Sequence, residues 1–560
     1  MTGSPPVMTQ DEDQADIASF LKPLRVCDST LYGLACSFSK VFQKLASTCD
    51  DGLFCPVPVT YLPGGQESGR YLAVDVGITT LRVAFIELLG ETSYGDLPAA
   101  GKEAKSQTVI RRAQLPRVRR VLEKAWRIEE RLKNDQAHEL FSWIGNCIAE
   151  VVKDDLTSSS STGDFPPYIE TGIAFSLPIK QNSLQEATLM PTGKGFTIGT
   201  DLDLRKSLLE GYERHTRRTD DMEQSAKRRR RYVLPRLKII ALTNDTVATL
   251  LSLAYSIKSF PNSRVAMGIV VGTGCNATIP MMLSDLHPSK ARQILSYEAN
   301  AAQALVSTEW TLHGAASPLH EHGIITEWDR KLDARTARPG FQPLEYMTGG
   351  RYIGELIRII CHDYFTTTLR VPEEALPGRL VEEYGLTTAF ITDIVSAPYS
   401  DEILAANLGR DLPPPASSEW SWSPKAAGVL RTVAHAVLTR SAALIAAATV
   451  GLLACNHEVS LKEPRSSSSS SATGDVREDT FASTRDWKGG PEELVVAYIG
   501  GIIQHYPNFK ENCQRYIDRL VIMGGPQEGG KSILLREAND GVIIGAGVLA
   551  GMVAHKYKGK

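Results

Sequence analysis

A chain of 560 residues exceeds one compact hydrophobic core, so roughly two to four domains are expected. Charged residues make up 22% and hydrophobic residues 42%, and the net charge of −3 excludes bulk electrostatic capture of nucleic acid or of an anionic membrane. Nine cysteines, with no C-x-x-C pair and no metal-ligand spacing, exclude a disulfide framework and fit a reducing compartment.

The first 19 residues are acidic and contain Pro, Ser and Gln. They lack the charge order of a signal or transit peptide, and disorder is expected there. Helical periodicity follows in Ile17, Phe20, Leu21, Leu31, Leu34, Phe38, Phe42 and Leu45. Residues 70–90 read as strand, tight turn, strand: Leu72, Val74 and Val76 alternate, then Gly77-Ile78-Thr79-Thr80, then Leu81, Val83 and Phe85. Residues 116–152 are expected to be mostly helix, with charges forming a solvated face. Residues 157–167 read as a flexible loop, and the basic segment 203–236 carries the run Lys227 to Arg231.

An apolar run, Leu237 to Leu242, has strand character and stops at Thr243-Asn244-Asp245-Thr246. A helix-period pattern then begins at Val247. Strands resume near Arg264, and helices dominate residues 349–365 and 426–455. The longest apolar run, 441–455, is too short to span a bilayer and follows Arg440, so a buried core helix is expected. Residues 465–490 are low-complexity, with six consecutive serines at 466–471. The segments "ELVVAYIGGIIQHYPNF" and "YIDRLVIMGG" each read as strand and turn, and "DGVIIGAGVLAGMVA" as a Gly-rich helix start.

Two places in this order suit chemistry. Asp245 lies at the carboxyl end of a strand, where ligands bind in open α/β sheets. It also suits a plain helix N-cap. Asp75 and Gly77 lie at a strand corner followed by Thr79 and Thr80. Backbone N–H groups and hydroxyls there can face phosphates while the Asp orients Mg²⁺ through water. An ordinary Gly-containing hairpin has the same pattern.

Together these stretches resemble the hexokinase family, from about Phe20 to about Gly551. Four further segments carry the resemblance: "FSLPIKQ...PTGKGF" (175–196), "GIVVGTGCNA" (268–277), "VSTEW" (306–310) and "PGFQPLEYMTGGRYIGELIR" (339–358). It implies a two-lobed α/β fold of the actin-like ATPase (ribonuclease H-like) type, with a sugar/ATP cleft between a small domain (68–242) and a large domain (243–553). A helical segment (20–67) precedes them, a low-complexity loop (460–490) interrupts the large domain, and a tail (554–560) ends the chain. It further implies transfer of the ATP γ-phosphoryl to the C6 hydroxyl of a hexose, with ATP and Mg²⁺.

By resemblance, Asp245 is the base and Lys194 favours negative charge near O6. Ser176, Asn244, Asp245, Asn276, Glu309 and Glu345 bind the sugar. Asp75, Gly77, Thr79, Thr80, Arg82, Thr273, Gly500 and Gly545 bind the nucleotide, with Mg²⁺ near Asp75. A monomer or homodimer in the cytoplasm is expected, without membrane span or nucleic-acid partner. The basic run Lys227 to Arg231, with Arg217 and Arg218, opens a nuclear alternative.

The chain departs from the family pattern in several places. Thr192-Gly193 precede Lys194 where the signature has Trp-Thr. This leaves room for a bulkier sugar such as N-acetylglucosamine. Ile78 replaces a second glycine in the phosphate turn, and a β-branched residue takes positive φ only at a cost. Ile499-Gly500-Gly501 lacks the hydroxyl of the second phosphate loop. Gly541-Val542-Ile543-Ile544-Gly545-Ala546-Gly547 keeps only part of the adenosine segment. Three readings follow: a hexose kinase, a kinase for N-acetylglucosamine, or a sugar-binding regulator without catalysis.

Overall fold

The structure is a computed structural model that describes residues 17–49, 52–90, 117–133, 137–158, 166–190, 202–216, 234–257, 262–462 and 492–558. Residues 1–16, the signature residues Thr192, Gly193 and Lys194, the basic run Lys227 to Arg231 with Arg217 and Arg218, and the serine tract 466–471 lie outside the described residues.

Two sheets organise the chain. The first holds β2 (Ser68–Val76), β3 (Thr80–Leu89), β4 (Val118–Arg127), β5 (Tyr168–Phe175) and β8 (Arg236–Asn244), in the order β4-β3-β2-β5-β8. The second holds β1 (Cys55–Val57), β9 (Ser263–Val271), β10 (Cys275–Met282), β11 (Gln303–Ser307), β12 (Glu493–Ile499) and β13 (Ser532–Glu537), in the order β1-β11-β10-β9-β12-β13. With β1 set aside, both sheets have one topology. Three strands meander antiparallel, and two more join parallel to the first of them. This is the duplicated, two-lobed actin-like architecture expected from the sequence. A small hairpin, β6 (Ile179–Ser183) with β7 (Glu186–Leu189), hangs from the first lobe.

Helix α1 (Asp28–Ala46) packs in the large lobe against α7 (Pro424–Cys455), and β1 pairs with β11. The N-terminal helical segment is therefore physically part of the large lobe. Helix α7 is long and apolar enough to cross a membrane, yet its apolar second half lies in the core, as a buried core helix should.

Two sequence expectations are corrected. Residues 118–127 form a strand, not a helix. Their charges lie on both faces along a sheet edge and pair with β3 and a neighbouring helix through Arg119–Glu87 and Lys124–Glu150. Charged side chains are how natural sheets blunt such an edge. Helix α2 (Ala137–Ser158) begins only after this strand and packs against α3 (Leu204–Glu213). The stretch "YIDRLVIMGG" is likewise helical, within α8 (Phe509–Gly524). Its apolar residues Phe509, Cys513, Ile517 and Leu520 recur every three to four positions and are buried.

Between the sheets lie α4 (Asp245–Ile257) and α9 (Gly541–Lys558). They approach backbone to backbone. A Cβ on Gly545 would sit 1.9 Å from the Ala248 carbonyl oxygen, and one on Gly172 of β5 would sit 2.1 Å from that of Ala546. Glycine is required at both positions by close packing. Gly545, expected at the nucleotide, faces α4 and is accounted for by this contact.

Candidate active site

The chain from β8 into α4 places Asn244 and Asp245 between the lobes. The Asn244 Oδ1 accepts from the Val247 N–H at 2.9 Å and from the Thr246 hydroxyl at 3.2 Å. Asn244 therefore caps the helix, and the Asp245 side chain is not used as the cap. The Asn244 Nδ2 donates to the Ser307 hydroxyl at 2.7 Å, which links β8 to β11 across the two sheets.

Around Ser307 the expected sugar ligands converge. Asn276 Nδ2 donates to Glu309 Oε1 at 2.7 Å and to Ser307 Oγ at 3.3 Å. Ser307 Oγ donates to Glu309 Oε1 at 3.0 Å. Glu309 is buried and has φ of +49°, in the left-handed region that non-glycine residues rarely occupy. Such strain costs on the order of 1–3 kcal/mol and persists only where surrounding bonds impose it. Glu345 is buried on α5 (Pro343–Thr348) and accepts from the Cys275 N–H at 3.1 Å.

The first phosphate turn lies at the edge of the same region. Gly77 donates to the Thr80 carbonyl at 2.9 Å, and a Cβ on Gly77 would meet that oxygen at 2.7 Å. The tight turn thus needs this glycine. Thr79 and Thr80 are exposed. Ser176, at the end of β5, donates its N–H to the Val76 carbonyl at 3.0 Å and is half-buried beside the turn. Ile78 does not crowd this surface. It is 8% exposed, belongs to the buried core of the small lobe, and is not among the non-glycine residues with positive φ. The turn accepts a β-branched residue by turning its side chain inward.

Asp75 is buried, and its carboxyl is pushed up to about 7. Burial is the main cause. The nearby Arg82 guanidinium opposes the rise, and the negative charges of Asp245 and Glu123 add to it. The sugar-side and phosphate-side carboxylates therefore lie within electrostatic reach of each other. Arg82 stands opposite Asp75 in the β2–β3 register and pairs with Glu123 at 2.6 Å and Asp540 at 2.5 Å. Asp540 immediately precedes α9, so this ion pair joins the small lobe to the interlobe helix.

The glycine turn between β9 and β10, expected to face the nucleotide, holds Gly272 and Thr273. Their carbonyls accept from Gly350 at 2.7 Å and Arg351 at 3.0 Å, at the start of α6 (Gly350–Asp363). Gly500 has φ of +122°, and a Cβ there would stand 2.3 Å from the Val271 carbonyl oxygen. The two loops meet backbone to backbone at Gly272 and Gly500, which leaves no room for any other residue at 500. Gly501 faces open space instead: a Cβ added there would have nothing within 4 Å.

The structure thus joins Asn276 and Glu309 by direct bonds, Asn244 to both through Ser307, Glu345 through Cys275, and Asp75 with Asp245 through their charges. Gly500 meets the β9–β10 turn at Gly272, next to Thr273. Sequence reasoning misses Ser307, Glu123 and Asp540. Ser307 has no signal of its own: β11 ends at it, and Glu309 beyond has left-handed backbone, so strand spacing does not relate the two. Glu123 is hidden by the helical reading of its segment. Among the described residues, no cluster of three or more His, Cys, Asp or Glu side chains has the arrangement of a metal site.

Similarity to known proteins agrees with this architecture. Family models described as Hexokinase match residues 266–552 and 16–255. The chain is 26% identical over 509 residues to Hexokinase-2 of Solanum tuberosum, covering 88% of this chain and 81% of the relative. It is 25% identical over 503 residues to Hexokinase-1 of Saccharomyces cerevisiae, covering 88% and 82%. A solved hexokinase from Schistosoma mansoni complexed with glucose shares the fold, with TM-score 0.70 and 21% identity over 97% of this chain and all of the other. With family models covering both lobes and the fold matched over nearly its whole length, the chain belongs to the hexokinase family.

Proposed function

We propose that this protein is an ATP-dependent hexose kinase that transfers the γ-phosphoryl to the C6 hydroxyl, with Asp245 as general base. The observation that supports this reading is the nearness of two carboxylates with separable tasks. Asp245 lies beside the sugar ligands and is spared from helix capping by Asn244, while Asp75 lies at the phosphate turn and feels the Asp245 charge. Buried sugar hydroxyls need donors and acceptors together, and Asn244, Glu309 and Glu345 supply both.

On the nucleotide side, the exposed Thr79 and Thr80 and the second turn at Thr273 line the path for phosphates. A buried carboxylate crowded by two others suits a divalent cation, which lowers the cost of that charge. Asp75 is the residue that would hold Mg²⁺, through water. Bound with ATP, Mg²⁺ neutralises charge on the transferring group. Lobe closure would exclude water and spare ATP from hydrolysis.

Glucose and N-acetylglucosamine are the two sugars this reading favours, the first by the glucose complex of the Schistosoma mansoni relative, the second by Gly193. Calorimetry with glucose, mannose and N-acetylglucosamine should give binding heat with at least one of them. No heat and no thermal shift with any hexose would sink the proposal.

A second reading, a sugar-binding regulator, rests on the missing hydroxyl at Ile499-Gly500-Gly501. The open space at Gly501 makes this testable. Gly501→Ser should fold as well as wild type, because nothing lies within 4 Å of its Cβ, and should lower the ATP KM several-fold. An unchanged ATP KM would mean that a hydroxyl here plays no part in binding phosphate.

A further inference from the structure

Three neighbouring strands of the large-lobe sheet place Gly268 of β9, Thr278 of β10 and Ser307 of β11 in one cross-strand row. The start of α4 meets this row at three points. A Cβ on Gly268 would stand 2.7 Å from the Thr246 carbonyl oxygen, so the glycine lets the first helical turn approach the sheet. The Thr246 and Thr278 hydroxyl oxygens lie 2.6 Å apart. The Asn244 Nδ2 donates to Ser307 Oγ at 2.7 Å.

Thr246 and Thr278 are fully buried, and the order of their protons follows from their partners. The Asn244 Oδ1 accepts from the Val247 N–H, and an amide oxygen can only accept. The Thr246 hydroxyl has one proton and donates it to that oxygen at 3.2 Å. It therefore accepts the proton of Thr278. A directed chain runs from Thr278 through Thr246 to the Asn244 oxygen, and it keeps the Asn244 Nδ2 turned toward Ser307. The residue before Asp245 and the residue after it are thus both tied to the large-lobe sheet, although β8 belongs to the other one. A valine pair would fill the same space with no polar group to satisfy, so the two hydroxyls are not needed for packing.

We propose that the row Gly268–Thr278–Ser307 is a seat for the start of α4, and that Thr246 and Thr278 are positioning residues that hold Asp245 in place for the C6 hydroxyl. The inference rests on the hexose-kinase reading above and assigns what fixes the proposed base.

A double-mutant cycle tests it. Turnover, ATP KM and thermal stability are measured for wild type, Thr246→Val, Thr278→Val and the double variant. Thr246→Val leaves the Thr278 hydroxyl buried without its acceptor, so stability and kcat should both fall. The double variant should regain most of the lost stability, because two apolar partners of like shape replace the pair. Its kcat should stay down by about tenfold or more, since a misplacement of about 1 Å can cost on the order of 10²-fold. The ATP KM should not change. Thr246→Ser keeps the hydroxyl and should turn over within a few-fold of wild type. Should Thr246→Val fail to fold, the double variant and Thr246→Ser carry the same comparison. A double variant whose kcat returns together with its stability would show a merely structural pair and overturn the inference, with the proposed function left intact. So would kcat losses at 246 and 278 that multiply. A wild type without hexose-dependent turnover would remove both readings, and that result precedes any substitution.

Discussion

With Asp245 as the proposed base, its replacement by alanine should lower the rate of phosphoryl transfer by about 10²- to 10⁴-fold, the usual cost of losing a general base. Such a variant normally risks unfolding, because the first residue of a helix often caps it. Here the cap is the Asn244 side chain, which accepts from the Val247 N–H at 2.9 Å, so α4 should survive the change. Sugar binding should also survive in large part, because Asn244, Glu309 and Glu345 are untouched. The same change removes one of the negative charges that raise the Asp75 carboxyl. Asp75 should then ionise at lower pH in the variant, a secondary signature that a misfolded protein would not show. Turnover of the purified variant beside its hexose Kd makes the test. Retention of more than a tenth of wild-type turnover would mean that the base is another group.

The second large effect is on stability. Ile78→Gly should destabilise the small lobe by about 3–5 kcal/mol, since truncating a buried Ile usually costs about 2–5 kcal/mol and glycine adds backbone entropy. The sequence alone leaves two outcomes open: a crowded phosphate turn that gains ATP affinity when Ile78 is removed, or a turn that accepts the side chain and is little changed. The side chain lies in the small-lobe core, so there is no crowding to relieve. The ATP KM of the folded fraction should therefore match wild type. Urea unfolding and ATP kinetics on one preparation separate the two outcomes. A variant of undiminished stability that binds ATP more tightly would show that Ile78 faces the nucleotide after all.

Ordered motifs constrain backbone as well as side chains, and the elements they cover are the ones legible in the sequence. Strand–turn–strand at Asp75 and strand-to-helix at Asn244 are legible because hydrophobic alternation and period switch together there. The duplication of the lobes is legible as two strand–glycine–strand starts, and both sheets carry it. The failures are local. The segment 118–127 is so rich in Arg, Lys and Glu that its charges read as a helix face, and only pairing with β3 reveals an edge strand. The segment around Ile517 reads as a short apolar run, for which strand and helix cannot be told apart by pattern alone. Gly545 reads as part of the adenosine segment because a glycine required by helix packing and one required by a ligand are identical in sequence. Ile78 looks like a lesion because the direction of a side chain in a turn is set by the core beneath it. Ser307 is easily overlooked because a serine in a strand carries no signal until the groups around it are seen.

On the proposed function, the sugar side and the phosphate side of this cleft act together in one reaction. Its most direct test is the sugar-dependent release of ADP by the purified full-length chain with Mg·ATP, measured against glucose, mannose and N-acetylglucosamine. The expected result is ADP release that depends on a hexose, that yields the hexose 6-phosphate in equal amount, and that disappears in Asp245→Ala. A protein that binds hexose by calorimetry, binds Mg·ATP, and still releases no ADP with any of the three sugars would contradict it.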